Sequence, residues 1–257
     1  MEPTELRTQD EAAPGDGLYV YGIGRADASL PEGLVGVLAG RPRLQRRGDL
    51  AAVVSELPED ADFGTPQDLV AHSAVLDAIA ESVAVLPMRF GTVVPSADDL
   101  DRELLAEPDD LVAALDGVDG AVQYTVRVRY DQDVVLPEII RSDPRLAGLQ
   151  EAIAGTTEDE TRTQRIELGE GIVSHFDALR GPDAEALLEM LDPLVRDRSV
   201  HETSQAGDVV DVALLVARAD QEDVEAAIED AAERDHPRLR YRLLGPQAPY
   251  DFVGGGR

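Results

Sequence analysis

Apolar and polar residues alternate along this chain with two periods, and the period assigns the elements. Val122, Tyr124, Val126, Val128 and Tyr130 alternate with Gln123, Thr125, Arg127 and Arg129, the two-residue period of a strand with one buried face. The same period runs through Val210, Val212, Leu214 and Val216, and through Leu239, Tyr241 and Leu243 set against Arg238, Arg240 and Arg242. A helical period puts Val224, Ala227, Ile228 and Ala231 on the inner face of residues 220–235, with acids elsewhere. Helices over 134–154 and 159–180 and a strand over 195–203 complete the second half. Its order is strand, helices, strand, strand, helix, strand, that of a ferredoxin-like split βαβ unit.

The first half mixes strands and helices in a less regular order. Residues 18–24 and 50–56 are strands, the second preceded by an Arg47-Gly48-Asp49 turn. Thr65 caps and Pro66 opens a helix over 66–83, with Leu69, His72, Leu76, Ile79 and Val83 on one face. One strand is expected from 85 to 94, then one helix from 96 to 115 with a serine cap and Asp98 and Asp99 in its first turn. Residues 117–120 mark the boundary. The fold class is therefore α+β with two domains. A disordered tail covers 1–16, an N-terminal mixed α+β domain 17–118, a C-terminal ferredoxin-like domain 119–245 and a C-terminal tail 246–257.

Charge narrows the function. The chain carries 52 acidic and 23 basic residues, a net charge of −29, which disfavours binding to nucleic acid or anionic lipid. The acidity reads either as a solubilising coat or as ordinary compositional bias. With no cysteine, disulfides, thiol catalysis and zinc–thiolate sites are excluded. No apolar run approaches the roughly 20 residues of a membrane span, and the polar, acidic first residues do not resemble a signal peptide, so the cytoplasm is the expected location. Nucleotide loops and metalloprotease or hydrolase motifs are absent. His72, His175, His201 and His236 have no metal-ligand spacing. His72, on an apolar helix face, reads as a satisfied core or interface histidine. Gly169-Glu170-Gly171 reads as close helix packing. No catalytic residue, cofactor or metal is expected.

The sharper feature is arginine placement. If the last strand pairs with the first strand of the second half, Arg127, Arg129, Arg238, Arg240 and Arg242 project on one side and make a basic sheet face. Like charges on adjacent strands cost stability unless neutralised. Three readings stand: docking of the cluster on acidic parts of the first domain or the tails, an acidic protein partner, or RNA, which would want exposed aromatics.

Several segments together resemble a known family. They are Tyr19-Val20-Tyr21-Gly22-Ile23, Gly48-Asp49-Leu50-Ala51-Ala52-Val53-Val54-Ser55, Ala71-His72-Ser73-Ala74-Val75-Leu76, Val85-Leu86-Pro87-Met88-Arg89-Phe90-Gly91-Thr92-Val93, Arg165-Ile166-Glu167-Leu168-Gly169-Glu170, and Leu244-Gly245-Pro246-Gln247-Ala248-Pro249-Tyr250-Asp251-Phe252-Val253. In this order they resemble the gas vesicle protein GvpL/GvpF family. One departure is Gln247, where the family often has an aromatic. The resemblance implies a non-enzymatic accessory protein of gas vesicle formation, without cofactor, that associates with the hydrophobic shell protein GvpA and other vesicle accessory proteins. It adds Arg89, Phe90, Tyr250 and Phe252 to the five arginines as candidate partner-binding residues. Met88 and Phe90 also read, and read first, as core residues, with Arg89 capping a nearby carboxylate. A ferredoxin-like small-molecule-binding protein or enzyme, with a pocket lined by Arg89, His72 and the arginine strands, is the alternative.

Overall fold

A computed structural model describes residues 17–58, 60–203 and 205–253. Residues 1–16 and 254–257, part of the expected tails, lie outside them. Among the described residues there are nine strands in two antiparallel sheets and seven α-helices. Contacts divide the chain into two compact units, one ending at Gly117 and the other taking the chain from Val118, with Ala80–Ser82 assigned to the second.

In the first unit the central strand is β1 (Gly17–Arg25), antiparallel to β3 (Leu50–Leu57) on one side. On its other side lie β4 (Val85–Pro87) and β5 (Val93–Val94), and β2 (Arg43–Arg47) lines the far edge of β3. Strand β2 has no apolar alternation to announce it. It is an exposed edge whose arginines discourage further pairing. The single strand expected over 85–94 is two short ones. Met88 N–H donates to the Tyr21 carbonyl at 2.8 Å and Val20 N–H to the Thr92 carbonyl at 2.9 Å, so residues 88–92 leave and rejoin β1 as a loop.

Helix α1 (Pro66–Ala80) starts at a reciprocal cap. Thr65 Oγ1 accepts Asp68 N–H at 3.3 Å, and the Asp68 carboxylate accepts Thr65 N–H at 3.0 Å. Holding Asp68 in the cap turns the buried face to Asp68, His72, Val75, Leu76 and Ile79. Leu69, expected inside, is 49% exposed, and Val83 lies beyond the helix end. The expected helix over 96–115 is likewise two, α2 (Ala97–Glu103) and α3 (Pro108–Val118). Pro108 cannot donate in a helix interior but opens a new helix well. Ser96 does cap α2, accepting Asp99 N–H at 3.2 Å.

In the second unit β6 (Ala121–Tyr130) lies between β8 (Asp208–Ala217) and β9 (Leu239–Gln247), with β7 (Asp197–His201) outside β8. Helices α4 (Gln132–Ser142), α5 (Pro144–Ile153) and α6 (Arg162–Leu191) connect β6 to β7, and α7 (Gln221–Asp235) connects β8 to β9. The helix expected over 134–154 breaks at Asp143-Pro144, where the Asp143 carboxylate accepts Arg145 N–H at 2.8 Å and caps α5. Tyr124, Val126 and Val128 of β6 join Val212 and Leu214 of β8 and Phe176 of α6 in one buried core.

The glycines of α6 differ in surroundings. A Cβ on Gly171 would overlap the Leu146 side chain of α5, whereas one on Gly169 meets open space. Alanine at either site gains about 1 kcal/mol of helix propensity. Gly169→Ala should therefore stabilise the protein by about that amount, while Gly171→Ala should lose about 1 kcal/mol or more because overpacking outweighs propensity. Urea denaturation of the two variants checks both signs.

Candidate functional site

Three loops of the first unit converge on a buried aromatic cluster. His72 of α1 is 1% exposed and uses both ring nitrogens. Its Nε2 lies 3.1 Å from the Met88 carbonyl and its Nδ1 3.0 Å from Tyr19 Oη. A carbonyl can only accept, so Nε2–H donates to Met88 and Nδ1 accepts the Tyr19 hydroxyl. The Tyr19 oxygen in turn accepts Gly91 N–H at 3.1 Å. Gly91 has φ of 88°, a conformation that glycine adopts freely. Burial lowers the His72 pKa, opposed by the Met88 bond, and burial pushes the Tyr19 hydroxyl up to about 12. The imidazole is thus neutral and acts as a strut that fixes the 88–92 loop. Tyr21 stacks on the same ring, its oxygen accepting Val37 N–H at 2.9 Å, which ties in a second loop. Phe63 meets both Tyr19 and Phe90 edge-on and ties in the third. Phe90 is half-buried in this cluster, Met88 packs toward Leu100 and Val94, and the Arg89 side chain is exposed.

Several apolar side chains of the first unit are exposed. Val35, Leu38, Leu69 and Val70 are 61%, 43%, 49% and 67% exposed. The Leu38 backbone N–H reaches the Asp68 carboxylate, so the backbone at Leu38 lies against the start of α1. Leu38 and Ala39 have φ of 53° and 57°, a left-handed conformation that costs a non-glycine residue of order 1 kcal/mol. The chain therefore holds an exposed leucine in a strained turn. Sequence reading did not single out Val35, Leu38 or Phe63. For Val35 and Leu38 the one signal is the apolar run from Leu34 to Ala39, which fits no helix or strand period; Phe63 has none.

The expected basic face of the second sheet is a mixed one. The register sets Arg127 opposite Asp211 and Arg129 opposite Asp208, and each guanidinium meets its carboxylate at 2.8 Å. Arg129 also bonds Gln205, and Arg240 pairs with Asp131. Arg238 does not join them. It precedes β9, and its Nε lies 3.2 Å from Glu138 of α4, on the helix side. Arg242 stands opposite Arg127 and makes no ion pair among the described residues. The observed partners of Arg127, Arg129 and Arg240 are carboxylates of the second unit, which removes the need for the expected docking on the first domain or the tails.

Beyond β9 the chain turns back across this face. Gly245, at the irregularity near the end of β9, has φ of 135° and a would-be Cβ 2.8 Å from Tyr124 Cδ1, which leaves no room for a side chain there. Ala248 and Pro249 are buried. The Asp251 carboxylate accepts Gln123 Nε2–H at 2.6 Å and lies 2.8 Å from His201 Nε2, while Asp251 N–H donates to Gln123 Oε1 at 3.0 Å. Tyr250 is 37% exposed and Phe252 half-buried. This clamp, also absent from the sequence reading, joins residues too distant in the chain for any local pattern to connect.

On the helix side of the same sheet is a cavity of about 670 Å³ lined by Val134, Glu138, Asp183, Leu187, Arg238 and Tyr241 among others. Its polar groups pair with one another or with near neighbours: Tyr130 donates to Asp183 at 2.6 Å, Tyr241 to Asp235 at 2.5 Å, and Arg238 to Glu138. Burial and these carboxylates raise both tyrosine pKa values. Among the described residues no group of three or more His, Asp or Glu side chains is placed to hold a metal, and no helix is long and apolar enough to cross a membrane.

The family model described as gas vesicle synthesis protein GvpL/GvpF matches residues 17–254. The chain belongs to the GvpL/GvpF family. It is 33% identical over 240 residues to gas vesicle protein F of Streptomyces sp. (strain CB03234), covering 91% of this chain and 98% of that one. It is 30% identical to gas vesicle protein L of the same organism, with 92% of each chain covered, and 28% identical to gas vesicle protein F of Haloferax mediterranei, with 93% of each covered. The crystal structure of GvpF from Anabaena sp. PCC7120 superposes with a TM-score of 0.74 over 95% of this chain and 98% of that chain, at 19% identity. The fold is thus that of GvpF, and membership carries a role in gas vesicle formation. In this GvpL/GvpF chain the Pro-Met-Arg-Phe-Gly segment is the loop held by His72.

The neutral strut has a pH signature. The folded state lowers the His72 pKa from an ordinary value of about 6.5, so the unfolded chain binds the proton first. The contribution of His72 to stability is complete above that ordinary value and is lost as pH falls below it. His72→Gln should be less stable than the parent at pH 8 and should lose less stability on acidification to pH 5. Comparing the two denaturation profiles isolates this residue.

Proposed function

We propose that this chain is a non-enzymatic accessory protein of gas vesicle formation, present in the cytoplasm and at the gas vesicle. It binds the hydrophobic shell protein GvpA, and other vesicle proteins, during nucleation or assembly. The observation that carries this reading is the set of exposed apolar side chains on the first unit, Val35, Leu38, Leu69 and Val70, held out on a chain of net charge −29. A shell subunit that will line a gas space must expose apolar surface before assembly, which invites aggregation. An apolar rim buries part of that surface, and the acidic coat keeps the complex dispersed. The 88–92 loop presents Arg89 and Phe90 beside the rim. The remaining candidates, Arg127, Arg129, Arg240, Arg242, Tyr250 and Phe252, serve the other vesicle proteins on the second unit. In this reading the domains are 17–118 and a ferredoxin-like 119–245, which the strand order β7-β8-β6-β9 supports.

Removing one exposed leucine forfeits about 1–2 kcal/mol of burial at an interface, about tenfold in affinity. Leu38→Ser and Leu69→Ser should each weaken co-purification with GvpA about tenfold while leaving thermal stability within about 2 °C, since surface changes shift stability little. Unchanged recovery of GvpA from the double variant sinks the rim as the contact. A second reading rests on the cavity beside Tyr241, whose volume suits a small molecule. A ligand from a metabolite panel that raises Tm by several degrees favours it.

A further inference from the structure

The clamp on the second sheet holds one histidine between two carboxylates. His201 Nδ1 lies 3.1 Å from Asp211 Oδ1, and Nε2 lies 2.8 Å from Asp251 Oδ1. A neutral imidazole has one N–H and one lone pair. With either tautomer, one ring nitrogen would present its lone pair to a carboxylate oxygen at hydrogen-bond distance. Only the imidazolium, with two N–H donors, satisfies both contacts as found.

The charge balance agrees. On β8, Asp211 shares its other oxygen with Arg127 of β6 at 2.8 Å. On the returning segment, Asp251 is bonded by Gln123 of β6, which is uncharged. Arg242 of β9 stands beyond Arg127, and on β7 itself Asp197 and Arg198 precede His201. The immediate set is two cations, His201 and Arg127, against two anions, Asp211 and Asp251. Deprotonation of His201 leaves one uncompensated negative charge beside Asp251, the residue that pins the segment.

We propose that residues 248–253 are a strap latched by protonated His201, closed over the outer face of the second sheet at low pH and released as pH rises. The strap is bonded to Gln123, and Gln123, Thr125, Ala213 and Leu215 are all buried although their register puts them on this side, away from the helices. Release uncovers that apolar and amide surface together with Tyr250 and Phe252. Burial of the ring opposes its charge, but the hydrogen bonds and charges of Asp211 and Asp251 prevail and raise the pKa. The sign follows: the contribution of a histidine with a raised pKa is complete below its ordinary value and is lost as pH climbs through the raised one.

The test is NMR on the full chain. The His201 ring should titrate above the ordinary histidine value. The Asp251 amide, which donates to Gln123, should be protected from exchange at pH 5.5 and lose protection along the same titration, after correction for the intrinsic rate. That loss should be about tenfold for each unit separating the closed and open pKa values. Asp251→Asn should lower the His201 titration, and His201→Gln should leave the strap open at pH 5.5 and at pH 9 alike. Equal protection of the Asp251 amide at both pH values in the parent overturns the latch without any variant. So does a pH-dependent release that persists in His201→Gln, or a His201 titration unmoved by Asp251→Asn.

Discussion

The register of β6 between β8 and β9 sets Arg127 opposite both Asp211 and Arg242. Much of the second unit depends on that alignment. A slip of one residue would carry the arginines into the helix-packed core and the valines out to solvent, so burial of Tyr124, Val126 and Val128 enforces it. Once it holds, Asp208 and Asp211 fall opposite Arg129 and Arg127, and the outer face becomes a row of cross-strand ion pairs. These pairs are half-exposed, so each contributes little to stability. Their effect is to remove like-charge repulsion that the strand pairing would otherwise create. The register of β7 on β8 separately puts His201 beside Asp211, on the face where Asp251 returns to meet it.

The first unit is organised by the opposite electrostatic choice. His72 is dry and neutral, with a carbonyl on one nitrogen and a hydroxyl on the other. A charged ring there would lose hydration with no anion to replace it. A neutral one ties α1 to the loop that carries Arg89 and Phe90, and through stacked Tyr21 to the turn that carries Leu38. The aromatic packing around His72 thus orders the backbone of both loops.

Membership in the GvpL/GvpF family gives these two arrangements a common setting. The Pro-Met-Arg-Phe-Gly segment and the Gly-Pro to Phe segment at the chain's end are both among the segments that carry the family resemblance. In the fold each is a stretch of backbone returning to a sheet and held by distant polar side chains: His72 and Tyr19 for the first, Gln123 and His201 for the second. Gln247, standing where the family often has an aromatic, donates to Thr125 at 3.1 Å on the strap side of the sheet.

Local sequence determined the elements whose cause is local. The alternation of β6, β8 and β9, the Thr65 and Ser96 caps, the inner face of α7 and the close packing at Gly171 were all legible, because side-chain period and capping act within a few residues. Two misreadings were also local: Pro108 and Asp143-Pro144 end helices that an uninterrupted apolar pattern seemed to continue. What the tertiary structure alone decided was pairing. Counting the buried side of β8 left Asp208 and Asp211 unremarked, so five arginines looked like one basic face until register matched two with aspartates and Glu138 drew Arg238 to the other side. The clamp of Gln123, His201, Asp211 and Asp251 and the rim of Leu38 and Leu69 have the same origin. Each depends on groups far apart in the chain, which only the closing of the sheets and the docking of α1 place on one surface or within bonding distance.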